Sequence, residues 1–163
     1  GTINPMEFVP LTEGTLLINP FTRWVIETAC SQMQQWNKEG ILVPISLNFS
    51  TKNFQDPSLI EILTHLLDKY QIPPHLLKIE VTETAVASNI STIATALQNL
   101  REVGVKVAID DFGTGYSNFE YIIKLNVDFL KIDGSLIKRI DEDIYLNLIK
   151  SIVLFSKQQN IGY

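Results

Sequence analysis

VAIDDFGTGYSN, residues 107–118, ends an apolar run with two adjacent aspartates and follows them with a glycine-bearing turn. Asp110 and Asp111 stand where a strand would leave the core. One carboxylate there is an ordinary cap for the next turn. Two together must both be solvated or neutralised at one spot, a demand that cation binding meets directly. Alternation along a strand sends neighbours to opposite faces, but the rule relaxes at a strand's end, so each aspartate could approach a different ion.

Working outward, three further runs have the same character. LVPISLNFS (42–50), LLKIEVTE (76–83) and FLKIDGS (129–135) join KVAIDDFG (106–113) as short, Val/Ile-rich segments bounded by turn residues. Helical periodicity fills the intervals: Ile60, Leu63, Leu66 and Leu67 share a face with Tyr70 close to it, and Ile90, Ile93, Leu97 and Leu100 repeat at the same spacing. Asp56-Pro57-Ser58 is expected to start the first of these helices and Ser88 or Asn89 the second. Gly104 is placed to end the second in a left-handed residue. Asp141 is read as the cap of a last helix that Gly162 closes. Continuously apolar strands alternating with helices predict a parallel sheet covered by helices, either a barrel or an open doubly wound sheet.

Each strand carries polar groups near its carboxyl end: Asn48; Glu80 and Glu83; Asp110 and Asp111; Lys131 and Asp133. Parallel α/β folds gather their ligands at that end, so adjacent strands would bring these groups to one mouth. The set is rich in oxygen donors, which suits Mg²⁺ or Mn²⁺. Two such ions about 3.5–4 Å apart can clamp the attacking and leaving oxygens of a phosphoryl displacement. His65 and His75 lie in helix and turn contexts away from the strand ends, which argues against zinc. A receiver domain also combines paired acids with a lysine, but there the acids follow the first strand, whereas here Lys131 arrives on the next strand after Asp110 and Asp111.

The bulk numbers narrow the classes. A chain of 163 residues, 45% hydrophobic, can bury one core, and its net charge of -5 argues against nucleic-acid polymers and anionic membrane surfaces as partners. Cys30 is the single cysteine and lies in an apolar-periodic helix, so an inert core thiol is expected. No apolar run is long enough to span a bilayer.

The ordered set ISLNFS, IEVTET, DDFGTGYSN and VDFLKID resembles the EAL domain, a bacterial module that linearises cyclic di-GMP. GTINPMEFVPLTEGTLL resembles the segment after the family's name-giving motif, and WVIETACSQMQQW its next helix. The resemblance implies a modified TIM-type (β/α) barrel, of which residues 1–163 would be an incomplete, internal portion. The E-A-L signature would lie upstream, and the strand bearing a further catalytic glutamate downstream. It implies that Asn48, Glu80 and Asp110 ligate one metal ion, that Asp111 serves a second, and that Lys131 contacts the attacking water or the scissile phosphate. Glu83 would hold the loop formed by Phe112, Gly113, Thr114, Gly115, Tyr116 and Ser117, through which the family dimerises and couples to regulatory domains. The implied activity is hydrolysis of cyclic di-GMP to linear pGpG with Mg²⁺ or Mn²⁺, in a cytoplasmic bacterial protein carrying sensory or signalling domains and sometimes anchored to the membrane. The residues that would bind substrate are not assigned. The alternative is a degenerate EAL domain that senses cyclic di-GMP or contacts a protein partner. Little activity is expected from an incomplete barrel, and its open sheet edges would favour pairing with another chain.

Overall fold

The computed structural model describes residues 4–15, 17–113 and 119–163. Their elements run α1 (Pro5–Glu13), α2 (Ile18–Lys38), β1 (Ile45–Asn48), α3 (Leu59–Tyr70), β2 (Leu77–Thr82), α4 (Glu83–Ser88), α5 (Ile90–Val103), β3 (Lys106–Phe112), α6 (Phe119–Leu125), β4 (Phe129–Ile132), α7 (Gly134–Ile137) and α8 (Asp143–Gln158). The four strands form one parallel sheet in the order β1-β2-β3-β4. A doubly wound sheet reverses its order at a switch point. This one advances in one direction, and right-handed crossovers then place all the connecting helices on one side. The architecture is α/β, a segment of a (β/α) barrel.

The two faces differ in chemistry. In register, Leu47, Ile79 and Val107 form one row and Val81, Ile109 and Leu130 another, facing the helices. Ile79, Val107, Ile109 and Leu130 are fully buried, each contributing about 1.5–3 kcal/mol of apolar burial. Leu63, Leu66 and Leu67 of α3 and Ile93, Leu97 and Leu100 of α5 complete that core, as does Cys30, whose thiol is pushed up to about 11 by burial and then by the Glu27 charge. The opposite parity carries Ser46, Asn48, Lys78, Glu80, Thr82, Ala108 and Asp110, the lining of the concave side.

The helix boundaries bear out some expectations and correct two. Asp56-Pro57-Ser58 leads into α3 as expected: Ser58 is the N-cap, and Asp56 Oδ1 accepts the Ser58 amide at 2.9 Å and the Ser58 hydroxyl at 2.6 Å. Asp141 does not cap α8, whose N-cap is Glu142, with its carboxylate bound to Arg139 at 2.7 and 2.9 Å. Gly162 lies beyond the end of α8 and pairs with Phe129 alongside β4, where a Cβ would collide with the Phe129 ring. Asn89 is the N-cap of α5 without a side-chain bond, and Gly104 ends that helix at φ 98°, as expected. The edge strand β1 leaves Ser46 and Asn48 exposed.

Candidate active site

The adjacent aspartates are explained by a bulge. Ile109 pairs with Leu130 and Phe112 with Ile132, so β3 advances three residues where β4 advances two. Asp110 and Asp111 together therefore oppose the single residue Lys131. Asp111 turns at φ 54°, the left-handed region that Asp tolerates better than most residues. Its amide donates to Asp110 Oδ1 at 3.0 Å, holding the two carboxylates in a fixed relation. The extra residue also returns Phe112 to the apolar face, where it is fully buried.

Three strand ends meet around one ammonium group. Lys131 Nζ donates to Glu80 Oε2 at 2.5 Å and to Asp110 Oδ2 at 2.9 Å. Glu80 is only 4% exposed, and a buried carboxylate needs such a partner. Burial alone would lower the Lys131 pKa; the bonds and charges of Glu80 and Asp110 outweigh it and hold the lysine above its ordinary value. Asn48 lies beside Glu80 in the strand register. Across the bulge, Asp133 accepts the Ser135 amide at 2.7 Å as the cap of α7, and also faces Asp111. Asp133 is thus a helix cap as well as a strand-end carboxylate, and nothing in the sequence shows that the bulge swings Asp111 toward it.

Burial, then repulsion from Asp110 and Asp133, raises the Asp111 pKa against the opposing charge of Lys131. Asp133 is held low, first by its bond to Ser135. A raised folded-state pKa gives stability that is present in acid and lost as pH rises through it. Ionised Asp111 is thus a burden on the fold near neutrality. Asp111→Asn, which removes the charge and accepts a left-handed backbone, is expected to raise the melting temperature at pH 7 by about 1–2 °C in the presence of a chelator, since the exposed site is screened. The gain should vanish below the carboxylate range, and a melting temperature that falls at pH 7 would refute the repulsion.

Glu83, 2% exposed in the first turn of α4, accepts the Gly113 amide at 2.9 Å, so it holds the chain two residues past Asp111. Thr82 caps the same helix by accepting the Ala85 amide at 3.2 Å. The buried Tyr121 hydroxyl finds no partner within hydrogen-bond geometry among the described residues, yet burial and the nearby Glu83 charge still push its pKa up. Of the loop assigned to dimerisation, Phe112 and Gly113 are placed as above, Phe112 being an anchor in the core. Thr114, Gly115, Tyr116 and Ser117 lie outside the described residues. His65 and His75 are both exposed, on α3 and in the turn before β2.

The donor set suits a hard divalent cation. Glu80 and Asp110 already direct oxygens at one shared positive charge, the ammonium of Lys131, and Asn48, an amide-oxygen donor by type, stands beside Glu80 in the strand register. Among the described residues no three Asp, Glu, His or Cys side chains are gathered tightly enough to bind a metal by themselves. No helix among the described residues is long and apolar enough to cross a membrane.

The model of the EAL domain family matches residues 1–163, the whole chain. The chain is 38% identical over 135 residues to cyclic di-GMP phosphodiesterase PA2567 of Pseudomonas aeruginosa, covering 83% of this chain and 23% of that protein. It is 39% identical over 133 residues to signaling protein YkoW of Bacillus subtilis, covering 82% of this chain and 17% of that one. The chain thus spans about a fifth of the length of these curated relatives. Among solved structures, the PaMucR phosphodiesterase in complex with c-di-GMP superposes with a TM-score of 0.88 at 32% identity, over 98% of this chain and 70% of that one.

Proposed function

The chain belongs to the EAL domain family, and on that premise we propose that the protein carrying it hydrolyses cyclic di-GMP to linear pGpG, with Mg²⁺ or Mn²⁺ as cofactor. The observation that carries this reading is the bonding of Lys131 to Glu80 and Asp110 at three adjacent strand ends, beside a bulge that brings Asp111 to the same mouth. PA2567, a relative named for this activity, supports it.

In the reaction a water oxygen attacks phosphorus and the P–O3′ bond breaks, leaving a 5′-phosphate and a 3′-hydroxyl. Asn48, Glu80 and Asp110 would hold one ion and Asp111 a second. Such ions lower the pKa of water and draw charge from the phosphate. Glu80 and Asp110 fix the Lys131 ammonium at the mouth, where it would meet the attacking water or the phosphate oxygens. Glu83 keeps the chain after Asp111 in place through the Gly113 amide. Further signalling domains belong to the same proposal, consistent with the small fraction of each relative that the chain covers, as does a dimer formed through residues 112–118.

The test is conversion of cyclic di-GMP by the full-length protein, followed by chromatography. pGpG should form with Mg²⁺ or Mn²⁺ and stop on chelation. Lys131→Ala should lower turnover about 100-fold, as expected for removal of one pre-placed charge donor. Tight binding of cyclic di-GMP without pGpG under any divalent ion would replace this reading with a sensor.

A further inference from the structure

Asn53 is a buried polar residue that takes no direct part in the cluster around Lys131. It is 3% exposed, in the turn that follows β1. Its Oδ1 accepts the Ser50 amide at 2.7 Å and the Ser50 hydroxyl at 3.2 Å, and its Nδ2 donates to Thr22 Oγ1 at 2.6 Å. Its backbone amide donates to the Ser50 carbonyl at 3.1 Å. Thr22 is itself 8% exposed on α2. One side chain thus ties the chain leaving β1 to a helix packed behind the sheet.

Asn48 lies two residues before Ser50. It is exposed, and among the described residues no side-chain hydrogen bond holds it. Its direction is set by the backbone alone: in register with Glu80, followed by the Phe49 amide donating to the Glu80 carbonyl at 2.8 Å, then by Ser50 in the grip of Asn53. The rings of Phe49 and Phe54, 5.9 Å apart, pack the same turn from the core side.

We propose that Asn53, anchored on Thr22, is a positioning residue for Asn48, fixing the exit of β1 so that the Asn48 amide oxygen meets a cation shared with Glu80 and Asp110. The inference rests on the metal-binding reading above. A weakly bound ligand on an edge strand depends on its backbone, and groups that orient metal ligands commonly change affinity by about 10–100-fold when removed. The amide is suited to this place because it accepts from Ser50 and donates to Thr22 at once. Aspartate would keep the acceptor and lose the donor, and alanine would lose both.

The test is Mn²⁺ affinity of the full-length protein, read from the electron paramagnetic resonance signal of free Mn²⁺, with thermal unfolding recorded for each variant. Asn53→Ala should weaken binding about 10-fold. Asn48→Ala should also weaken it, and in the Asn48→Ala background Asn53→Ala should cost nothing more, although it still lowers the melting temperature. Thr22→Val keeps the bond to Ser50 and should give a smaller loss that likewise disappears with Asn48→Ala; it serves the same cycle if Asn53→Ala does not fold. Losses that add across the cycle, or a lower melting temperature with unchanged affinity, overturn the proposal and leave Asn53 a packing residue. Failure of the unaltered protein to bind Mn²⁺ overturns the metal reading itself, and this inference with it.

Discussion

Asp110→Asn in the full-length protein is expected to lower cyclic di-GMP turnover by about 10³-fold, the equivalent of about 4 kcal/mol in the barrier. The substitution is nearly isosteric, and the asparagine oxygen can still accept the Asp111 amide that Asp110 Oδ1 accepts at 3.0 Å. The other terminus becomes an NH₂ group facing Lys131 Nζ, which Asp110 Oδ2 now accepts at 2.9 Å, so a donor meets a donor. Lys131 keeps its bond to Glu80 and loses its second anchor. The cation site loses one of the two carboxylates that Lys131 brings together. Folding should notice little: Lys131 is 43% exposed, and ion pairs of that exposure contribute about 0–1 kcal/mol. The expected result is therefore a dead enzyme with a melting temperature within about 2 °C of the original. Turnover within threefold of the original would remove Asp110 from the chemistry.

Much of this was legible in the chain because alternation on a parallel strand writes the two faces into the sequence. In Lys78-Ile79-Glu80-Val81-Thr82 the odd positions are fully or almost fully buried, and the even ones carry the polar groups of the concave side. The four strands, their order along the chain and the glycine ending α5 follow from such patterns. The choice between barrel and doubly wound sheet does not, because it depends on pairing order, which no local pattern records. The bulge was half legible. Two aspartates break the alternation of β3, but whether the extra residue is absorbed by a bulge or by the strand ending depends on Ile132 pairing with Phe112. The meeting of Asp111 with Asp133 follows only from that register. Asn53 was invisible for a different reason: its partner Thr22 lies 31 residues away, and a polar residue in a turn ordinarily faces water.

Gly113→Ala should be the most damaging single-methyl change in the described part of the loop. Gly113 stands at φ 98°, where a Cβ is strained, and that Cβ would lie 2.6 Å from Leu136 Cδ1 and 3.5 Å from Ile152 Cδ1. Leu136 is 5% exposed and Ile152 fully buried, so neither methyl can swing into solvent. Backbone strain of about 1–3 kcal/mol and overpacking of about 1–3 kcal/mol combine to an expected loss of about 2–6 kcal/mol, or about 4–24 °C in melting temperature. The chain can relieve the strain only by turning the peptide, which withdraws the Gly113 amide from Glu83, 2.9 Å away, and leaves a buried carboxylate short of a donor. Asp111, two residues earlier, then loses its fixed exit from the bulge, so Mn²⁺ affinity should fall together with stability. Leu136→Ala in the same protein separates the two causes. Clearing the leucine should recover the overpacking part and leave the backbone part, so the double variant should be more stable than the sum of the single losses. Strict additivity would mean that the leucine moves aside at no cost, and an unchanged melting temperature in Gly113→Ala would mean that the left-handed turn after the paired aspartates is not needed to hold them.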